Sequence, residues 1–430
     1  MSTTAPPLSR HLLRRAASAR AGLVPAVHRL APESCDVPHL VNASVPADRS
    51  NAWQTPSGAV AANAHEAEAG AIAEALERLA AAQVPLPLRR RASLPAQERL
   101  DEPAFALFSD AQRHTPGFQW PLHAGPDDWF APVWCLHDNR RLWVPQELVG
   151  LGPRMGSARL PSTSSGLAAQ RAGTQGPWLA LLRAVQELLE RDALTVTWLC
   201  GLGGREIALP EGWRHAIAAL DGHDGQVHAF DLTQRWNPHP VVAVAGSIAC
   251  DGRPRPVLGM ACRATRADAL HKAAQEWAQS LAYVRHLTQG AARAHPLPTE
   301  PAELRRFDEH AAFYTLRPEL WPRTALLAHR APWQPPPETA TPPATPLAQL
   351  QVLQAALRAH GIQVLYRDLT TTDVAATGLV VMRALSPQLS ALHADERAPF
   401  LGGRTDDAEW RYPGARRHTA FPNPLPHPLG

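Results

Sequence analysis

Acidic residues recur in pairs whose spacing suits the binding of a hard cation. Three segments share an acid followed three positions later by an acid or an amide: Glu74/Glu77, Glu187/Glu190 and Glu276/Gln279. Residues three apart on a helix lie on one face, about 5–6 Å from each other. Mg²⁺ favours such oxygen ligands, particularly where phosphate oxygens complete its octahedral shell. The spacing is therefore compatible with a magnesium–phosphate site, and equally with solvated helices on which each Glu pairs with an Arg.

The segments that carry these pairs are rich in Ala and Leu and have the apolar periodicity of helices. They predict helices over residues 64–82, 177–199 and 266–288. Further elements are predicted as strands at Val241–Cys250, Val257–Arg263, Gly361–Leu369 and Gly378–Ala384, with a helix at 346–359. The mixture of a hairpin, other strands and interspersed helices predicts an α+β fold of packed sheets and helices.

Composition indicates how much of the chain is folded. With 430 residues, 45% of them hydrophobic, the chain can bury a sizeable core. Residues 1–35 are predicted to be a weakly ordered tail, and residues 36–430 a single folded domain. Within that domain, 331–346 is a Pro-rich loop and 422–430 a Pro-rich C-terminal tail, both of extended character.

Several classes of protein are disfavoured by the same composition. Basic and acidic residues nearly balance, at 42 against 39. The sequence has no clustered basic stripe of the kind that would predict nucleic-acid binding. No apolar run reaches the roughly 18 residues of a membrane span. Five scattered cysteines without a C-x-x-C pair indicate reduced thiols and a cytoplasmic protein. Lys272 is the only lysine, and no Lys-containing phosphate loop is present.

The residues around the second acidic pair resemble the central signature of the YcaO family. These are Pro161–Ala169, followed by Glu187–Ala193 and Trp198. Other segments resemble the family in the same order along the chain: 107–112, 144–145, 259–279, 368–375, 381–383 and 399–404. The resemblance covers about residues 50–430 and is to the thiazole/oxazole-modified peptide cyclodehydratases, the D proteins.

The resemblance implies a YcaO-type α+β fold around a nucleotide cleft, with ATP and Mg²⁺ held by helical acids. The implied ATP- and magnesium-binding residues are Glu74, Glu77, Glu187, Glu190, Arg191, Glu276, Gln279 and Arg383. Glu77, Glu190 and Glu276 are the implied metal ligands among them. Pro426, Pro428 and Gly430 belong to a C-terminal tail that reaches the active site in cyclising members, so the resemblance implies a catalytic role for them.

The implied reaction is cyclodehydration of a ribosomally made precursor peptide. A Cys, Ser or Thr side chain attacks the preceding backbone carbonyl, and phosphorylation of the oxyanion makes it a leaving group, which gives an azoline. The chain is expected to be too short to include a separate leader-binding module as well. A partner resembling ubiquitin-activating enzymes is therefore expected to present the peptide, and a homodimer is a further option.

Some positions depart from the family pattern. Gly70 stands where the family usually has a Ser, and Leu179 stands where it has an acid. The position at which the family has a basic residue falls near Val60. These departures favour an alternative in which a degenerate family member binds a peptide or partner without ATP turnover. A third hypothesis keeps ATP use but forms a thioamide with an external sulfide.

Overall fold

The computed structural model describes residues 13–33, 36–46, 56–120, 125–152, 160–161, 163, 165–220, 223–250, 252–289, 296–337 and 341–430. The strands are β1 (His28–Arg29), β2 (Val41–Val45), β3 (Ser57–Ala61), β4 (Arg89–Arg90), β5 (Trp129–Cys135), β6 (Arg141–Pro145), β7 (Leu167–Arg171), β8 (Arg205–Ile207), β9 (His223–Asp231), β10 (Val241–Cys250), β11 (Arg253–Cys262), β12 (Ala331–Pro332), β13 (Leu365–Asp368) and β14 (Leu379–Leu385). The helices are α1 (Ala64–Gln83), α2 (Asp110–Arg113), α3 (Gly176–Leu199), α4 (Glu211–Ala218), α5 (Arg266–Gln289), α6 (Phe307–Leu316), α7 (Ala325–Ala328), α8 (Pro346–Ala359), α9 (Thr372–Ala376) and α10 (Ala408–Arg411).

The strands of the described residues form three sheets. The first is a small antiparallel sheet in the order β1-β2-β3. The second has the order β11-β10-β9-β8-β12, and only its β8–β12 pair is parallel. The third has the order β4-β5-β13-β14-β7, with β6 also paired to β5. The α+β fold class predicted from the sequence is confirmed.

Three long helices connect these sheets. Helix α1 packs on β2 and β3 and also contacts β7 and β14 of the third sheet. Helix α3 lies against β7 and β14 on one side and against β10 and β11 on the other. Helix α5 covers β10 and β11 and reaches β3. Each helix thus touches two sheets, so one face of each is fixed relative to the others.

Local sequence explains where the long helices begin. The Asn63 side chain accepts a hydrogen bond from the amide of Glu66 at 3.0 Å and caps α1. Helix α3 starts with Pro177 in its first turn, where a missing amide hydrogen is harmless. The Thr265 hydroxyl accepts from the amide of Asp268 at 3.1 Å before α5. These signals agree with the helix positions predicted from periodicity.

Helix α5 lies unusually close to the second sheet at Gly259 on β11. A Cβ atom at this position would lie 2.0 Å from the Trp277 backbone nitrogen and 2.4 Å from the Ala273 carbonyl oxygen. Any larger residue would therefore push the helix away from the strand. The close approach fixes the height of α5, including Glu276, above the sheet.

The N-terminal segment predicted as a weakly ordered tail contains packed residues. Leu13, Ala16 and Val24 are buried in the same core as α1. The His28–Arg29 strand pairs with β2, and the Arg29 guanidinium pairs with Glu68 on α1 at 2.5 Å. Residues 13–33 therefore belong to the fold, whereas residues 1–12 and 34–35 of that predicted tail lie outside the described part.

The C-terminal tail and the Pro-rich loop differ in their packing. Residues 426–429 are buried without forming a helix or strand. In the loop, Ala331–Pro332 adds a short strand beside β8, and residues 338–340 lie outside the described part. Among the described helices, none combines the length and apolar character needed to cross a membrane.

Candidate active site

The two acids of α1 are held by backbone amides from different sheets. The Glu74 carboxylate accepts from the Gly58 amide at 2.8 Å and from the Arg78 guanidinium. The Glu77 carboxylate accepts from the Ala169 amide at 2.5 Å. Because Gly58 belongs to β3 and Ala169 to β7, this pair lies where the first and third sheets approach each other.

The acids of α3 are bound in the same way. Glu187 accepts from the amides of Gly166 and Leu167 at 3.2 and 3.0 Å, and its other oxygen lies 3.3 Å from Arg191. Glu190 accepts from the Cys262 amide at the end of β11 at 2.7 Å. The two acids of α3 therefore face the third and second sheets, respectively.

Helix α5 contributes one acid, one amide and a residue that the sequence reasoning missed. The ammonium of Lys272 lies 3.2 Å from the Glu276 carboxylate, one turn along the helix. The Gln279 side chain donates to the Gly58 carbonyl at 2.9 Å. Lys272 is the only lysine and stands four residues before Glu276, and these two facts together could have marked it.

Electrostatic effects show that the three helices converge on one region. Burial raises the pKa of Glu77 well above its ordinary value, and the nearby charge of Glu187 raises it further. Burial raises the pKa of Glu190 to about 7, and the charge of Glu276 adds to this effect. Glu74 and Gln279 are joined through the two backbone groups of Gly58. The predicted acids of α1, α3 and α5 are thus brought together.

The geometry divides these acids into pairs. Among the described residues, no group of three or more His, Cys, Asp or Glu side chains is arranged to hold a metal ion. Glu77 interacts with Glu187, whereas Glu190 interacts with Glu276, so the predicted trio Glu77, Glu190 and Glu276 is not a single closed ligand set. Buried like charges fit a site for a divalent cation. Mg²⁺ typically takes one or two carboxylates and fills its shell with water and phosphate oxygens, so the pairs fit magnesium nucleotide.

Arg383 is fully buried behind the acids. Its guanidinium donates to the carbonyls of Leu148 and Thr163, with shortest distances of 2.9 and 2.5 Å. Burial lowers the pKa of Arg383 to about 10, and the charges of Glu187 and Glu77 oppose that effect. One terminal nitrogen has no hydrogen-bond partner among the described residues. Arg383 thus places positive charge beside the acids, and its unpaired nitrogen is able to donate a hydrogen bond to a ligand.

Arg191 lines a cavity of about 40 Å³ beside Glu187. Leu188, Thr163, Ser165 and Ser386 form part of the same wall. One Arg191 nitrogen and the Ser386 hydroxyl are buried without a hydrogen-bond partner among the described residues. A cavity of this size is large enough for small polar groups, which would satisfy both atoms.

The C-terminal tail is docked on α3 and α6 and approaches α5. The Trp198 indole of α3 donates to the Leu425 carbonyl at 2.8 Å, and the Tyr314 hydroxyl of α6 donates to the Pro426 carbonyl at 2.7 Å. At Gly430 a Cβ atom would lie 3.0 Å from the ring of Tyr283, which is one turn beyond Gln279 on α5. Pro426, Pro428 and Gly430 thus belong to a tail that lies against α3, α5 and α6. The structure shows no contact between these three residues and the acids.

The departures from the family pattern have a structural context. A Cβ atom at Gly70 would lie 2.7 Å from the Cβ atom of Ala59, so a Ser would displace α1 from β3. Val60 is buried, and Leu179 is partly buried against the central core. Apolar packing thus occupies these three positions. In the segment Pro161–Ala169, residues 162 and 164 lie outside the described part.

Comparisons with known proteins agree with the fold. The model of the YcaO cyclodehydratase family, described as ATP- and Mg²⁺-binding, matches residues 59–390. No curated protein matches the chain. A heterocyclase solved in complex with substrate and cofactor has a TM-score of 0.72 at 19% identity, and the match covers 94% of this chain and 54% of that one. The present chain therefore spans about half the length of that heterocyclase.

Two further solved structures share the fold. YcaO from Methanopyrus kandleri, bound with AMPPCP and Mg²⁺, has a TM-score of 0.64 at 18% identity, with 89% of this chain and 88% of that one covered. A chain of the E. coli microcin synthetase McbBCD complex has a TM-score of 0.59 at 16% identity, with coverages of 87% and 90%. These likenesses concern the fold.

The family match spans most of the chain, and the sheets and helices agree with it. The protein belongs to the YcaO family of ATP- and Mg²⁺-binding proteins. The resemblance inferred from sequence motifs is thereby confirmed, and ATP and Mg²⁺ are the cofactors of the family. The individual site residues remain predictions.

Proposed function

We propose that this protein is the cyclodehydratase component of a system that converts Cys, Ser or Thr residues of a ribosomally made peptide to azolines. The observation that carries the proposal is the convergence of the acids of α1, α3 and α5, seen in the interactions of Glu77 with Glu187 and of Glu190 with Glu276. Such convergence is what a magnesium nucleotide site requires, and it has no evident purpose in a purely structural domain.

The proposed nucleotide and metal residues follow from this geometry. Glu77, Glu190 and Glu276 would contribute metal ligands, and Glu74, Glu187 and Gln279 would fix the surrounding backbone. Arg191, Arg383 and Lys272 would face the phosphates, since each places a cation beside an acid of the site. When bound, the cofactor supplies the phosphoryl group that turns an amide oxygen into a leaving group.

The chain's own residues would prepare the peptide for reaction. Arg191 has an unpaired nitrogen at the 40 Å³ cavity, where it can donate to a carbonyl oxygen that gains negative charge. Ser386 can hold the attacking hydroxyl or thiol in the same cavity. The tail, through Pro426, Pro428 and Gly430, would close the region and exclude water, because residues 426–429 are buried against α6.

The peptide is proposed to arrive with help from a second protein. The E. coli microcin synthetase neighbour is a complex of several chains and has been solved with a bound pro-peptide. By analogy, a leader-binding partner resembling ubiquitin-activating enzymes would deliver the precursor to this chain. A cytoplasmic location follows from such a role.

The proposal is tested by reconstitution and mass spectrometry. The purified protein is mixed with ATP, Mg²⁺, a candidate precursor peptide and a candidate partner protein. Loss of one water per modified residue, with ATP consumed, is expected. Exchange of oxygen for sulfur would instead indicate thioamide formation and would overturn the proposed ring closure.

A second candidate function is binding of a peptide or partner without ATP turnover. The close packing of Gly70 on Ala59 favours it, because the usual Ser at this position cannot be accommodated without movement of α1. In this case the precursor would bind with unchanged mass, and ATP would stay intact in the same reconstitution. Binding of Mg²⁺–AMPPCP, measured by calorimetry, is expected only if the acidic site is functional.

A further inference from the structure

Three buried histidines meet where the C-terminal tail crosses α6. The ring of His427, from the tail, stacks on that of His310, with centroids 4.1 Å apart and planes 15° from parallel. The ring of His393 stands edge-on to His427 at 5.3 Å. All three side chains are almost fully buried, at 0–3% exposure.

The hydrogen bonds of His427 require a neutral ring. Its Nε2 lies 2.7 Å from the carbonyl oxygen of His393, so Nε2 carries a proton and donates. Its Nδ1 accepts from the amide of Leu429 at 3.3 Å, so Nδ1 must keep its lone pair. One ring thus connects the body of the protein to the backbone of the last residues. An imidazolium has two donors and no acceptor, and cannot make this pair of bonds.

We propose that His427 is a positioning residue whose neutral ring sets where the last residues of the tail lie against α5 and α6. Through its two bonds it fixes the backbone at Leu429, and with it the approach of Gly430 to Tyr283. The link to activity rests on the proposed role of the tail, but the positioning itself does not. His427 would thus affect the reaction only indirectly, through the position of the tail.

Charges around His427 predict that acid releases the tail. Burial lowers the pKa of His427 well below its ordinary value, and charge on His310, His393 and Arg191 lowers it further. The compensating acid, Glu396, lies 3.3 Å from His393 and 3.7 Å from His310. Protonation of His427 would break the bond to Leu429 and set like charges close together. Because the docked tail disfavours the proton, docking weakens as pH falls below about 6.5, the ordinary pKa of histidine.

His310 is a second ring that acid could affect. Its Nδ1 and Nε2 lie 3.1 and 3.0 Å from the carbonyl oxygens of His427 and Ala394, and a neutral ring can donate to only one of them. Burial nevertheless lowers the pKa of His310, so protonation of either ring opposes docking. Variants of His427 are therefore needed to assign the release of the tail in acid to His427.

Amide hydrogen exchange of the full chain, without nucleotide or peptide, tests the proposal. The amides of Leu425, His427, Leu429 and Gly430 are followed by mass spectrometry at about pH 7.5 and about pH 5.5, with rates corrected for the intrinsic effect of pH. Protection is expected to fall about tenfold at the lower pH, one unit below the ordinary pKa of histidine. Amides of α3 serve as the control for global unfolding and should keep their protection.

Two variants isolate the ring. H427N keeps an acceptor near the position of Nδ1, H427Q keeps a donor near that of Nε2, and neither titrates in this range. Both are expected to lose the pH dependence. Unchanged or increased protection of the wild-type tail in acid would overturn the proposal, as would a drop that persists in H427N. Because no cofactor is present, these outcomes are independent of whether the protein cyclises peptides.

Discussion

At the scale of single residues, the site is built from carboxylates whose charge is only partly compensated. Glu74 and Glu187 each pair with an arginine on the same helix, and Glu190 lies 3.6 Å from the Arg263 guanidinium. Burial nevertheless raises the pKa of Glu77, Glu187 and Glu190, and a neighbouring acid adds to the effect at Glu77 and Glu190. The E-x-x-E spacing predicted the acids from the sequence. It did not predict which partners would be shared, because the amides of Gly58 and Cys262 reach them only in the folded chain.

Replacing Glu190 by Gln is expected to separate stability from binding. A folded-state pKa of about 7 means that the native protein binds a proton more tightly than the unfolded chain, so Glu190 lowers stability increasingly as pH rises from about 4.5 to 7. E190Q should therefore be more stable than wild type at pH 8 without Mg²⁺, by on the order of 1–3 kcal/mol, and equal to it near pH 5. Urea unfolding at both values of pH measures this.

The same variant should bind magnesium nucleotide at least about tenfold more weakly, which corresponds to ~1.4 kcal/mol. Titration of AMPPCP with Mg²⁺ by calorimetry gives the affinity. Glu98, a partly exposed acid outside the site, offers a control as E98Q. Equal nucleotide affinity of E190Q and wild type would remove Glu190 from the proposed metal ligands.

At the scale of elements, the three acid-bearing helices were predicted closely from apolar periodicity. The predicted spans 64–82, 177–199 and 266–288 compare with Ala64–Gln83, Gly176–Leu199 and Arg266–Gln289. Periodicity is a local property, so it locates helices well. It carries no information on which sheet a helix covers. The close packing of α5 on β11 therefore could not be predicted from the sequence.

Gly259→Ala should weaken the protein by moving α5. The new Cβ atom would overlap the backbone at Trp277 and Ala273, and overpacking of this kind typically costs about 1–3 kcal/mol. Thermal unfolding measures the loss, and nucleotide affinity should fall with it, since Glu276 moves with the helix. Gly212→Ala on α4 is the matched control, because no atom lies within 4 Å of its added Cβ. Similar losses in the two variants would contradict the argument.

At the scale of the whole molecule, non-local contacts decided what the sequence could not. The N-terminal segment 13–33 was expected to be weakly ordered, yet its apolar residues are buried beside α1. Composition alone could not predict that this segment is packed, because its buried apolar residues, such as Leu13 and Val24, are scattered along the sequence. The tail is packed for a similar reason: its carbonyls meet donors on Trp198 and Tyr314, more than 110 residues earlier in the chain.

A double-mutant cycle should show that the tail supports the fold. Removal of residues 425–430 leaves the indole of Trp198 and the hydroxyl of Tyr314 without their acceptors. Tyr314→Phe should cost about 1 kcal/mol in the full chain and close to nothing in the truncated one. Equilibrium unfolding of the four proteins gives the coupling energy, and a value near zero would show that the hydrogen bond to Pro426 contributes little.

The two backbone groups of Gly58 have a mechanical consequence. Glu74 accepts its amide hydrogen and Gln279 donates to its carbonyl, so one residue of β3 couples α1 to α5. Two hydrogen bonds to one residue thus link α1, β3 and α5. We expect an opening of the proposed nucleotide site to occur along α3, where Glu77 interacts with Glu187 and Glu190 with Glu276.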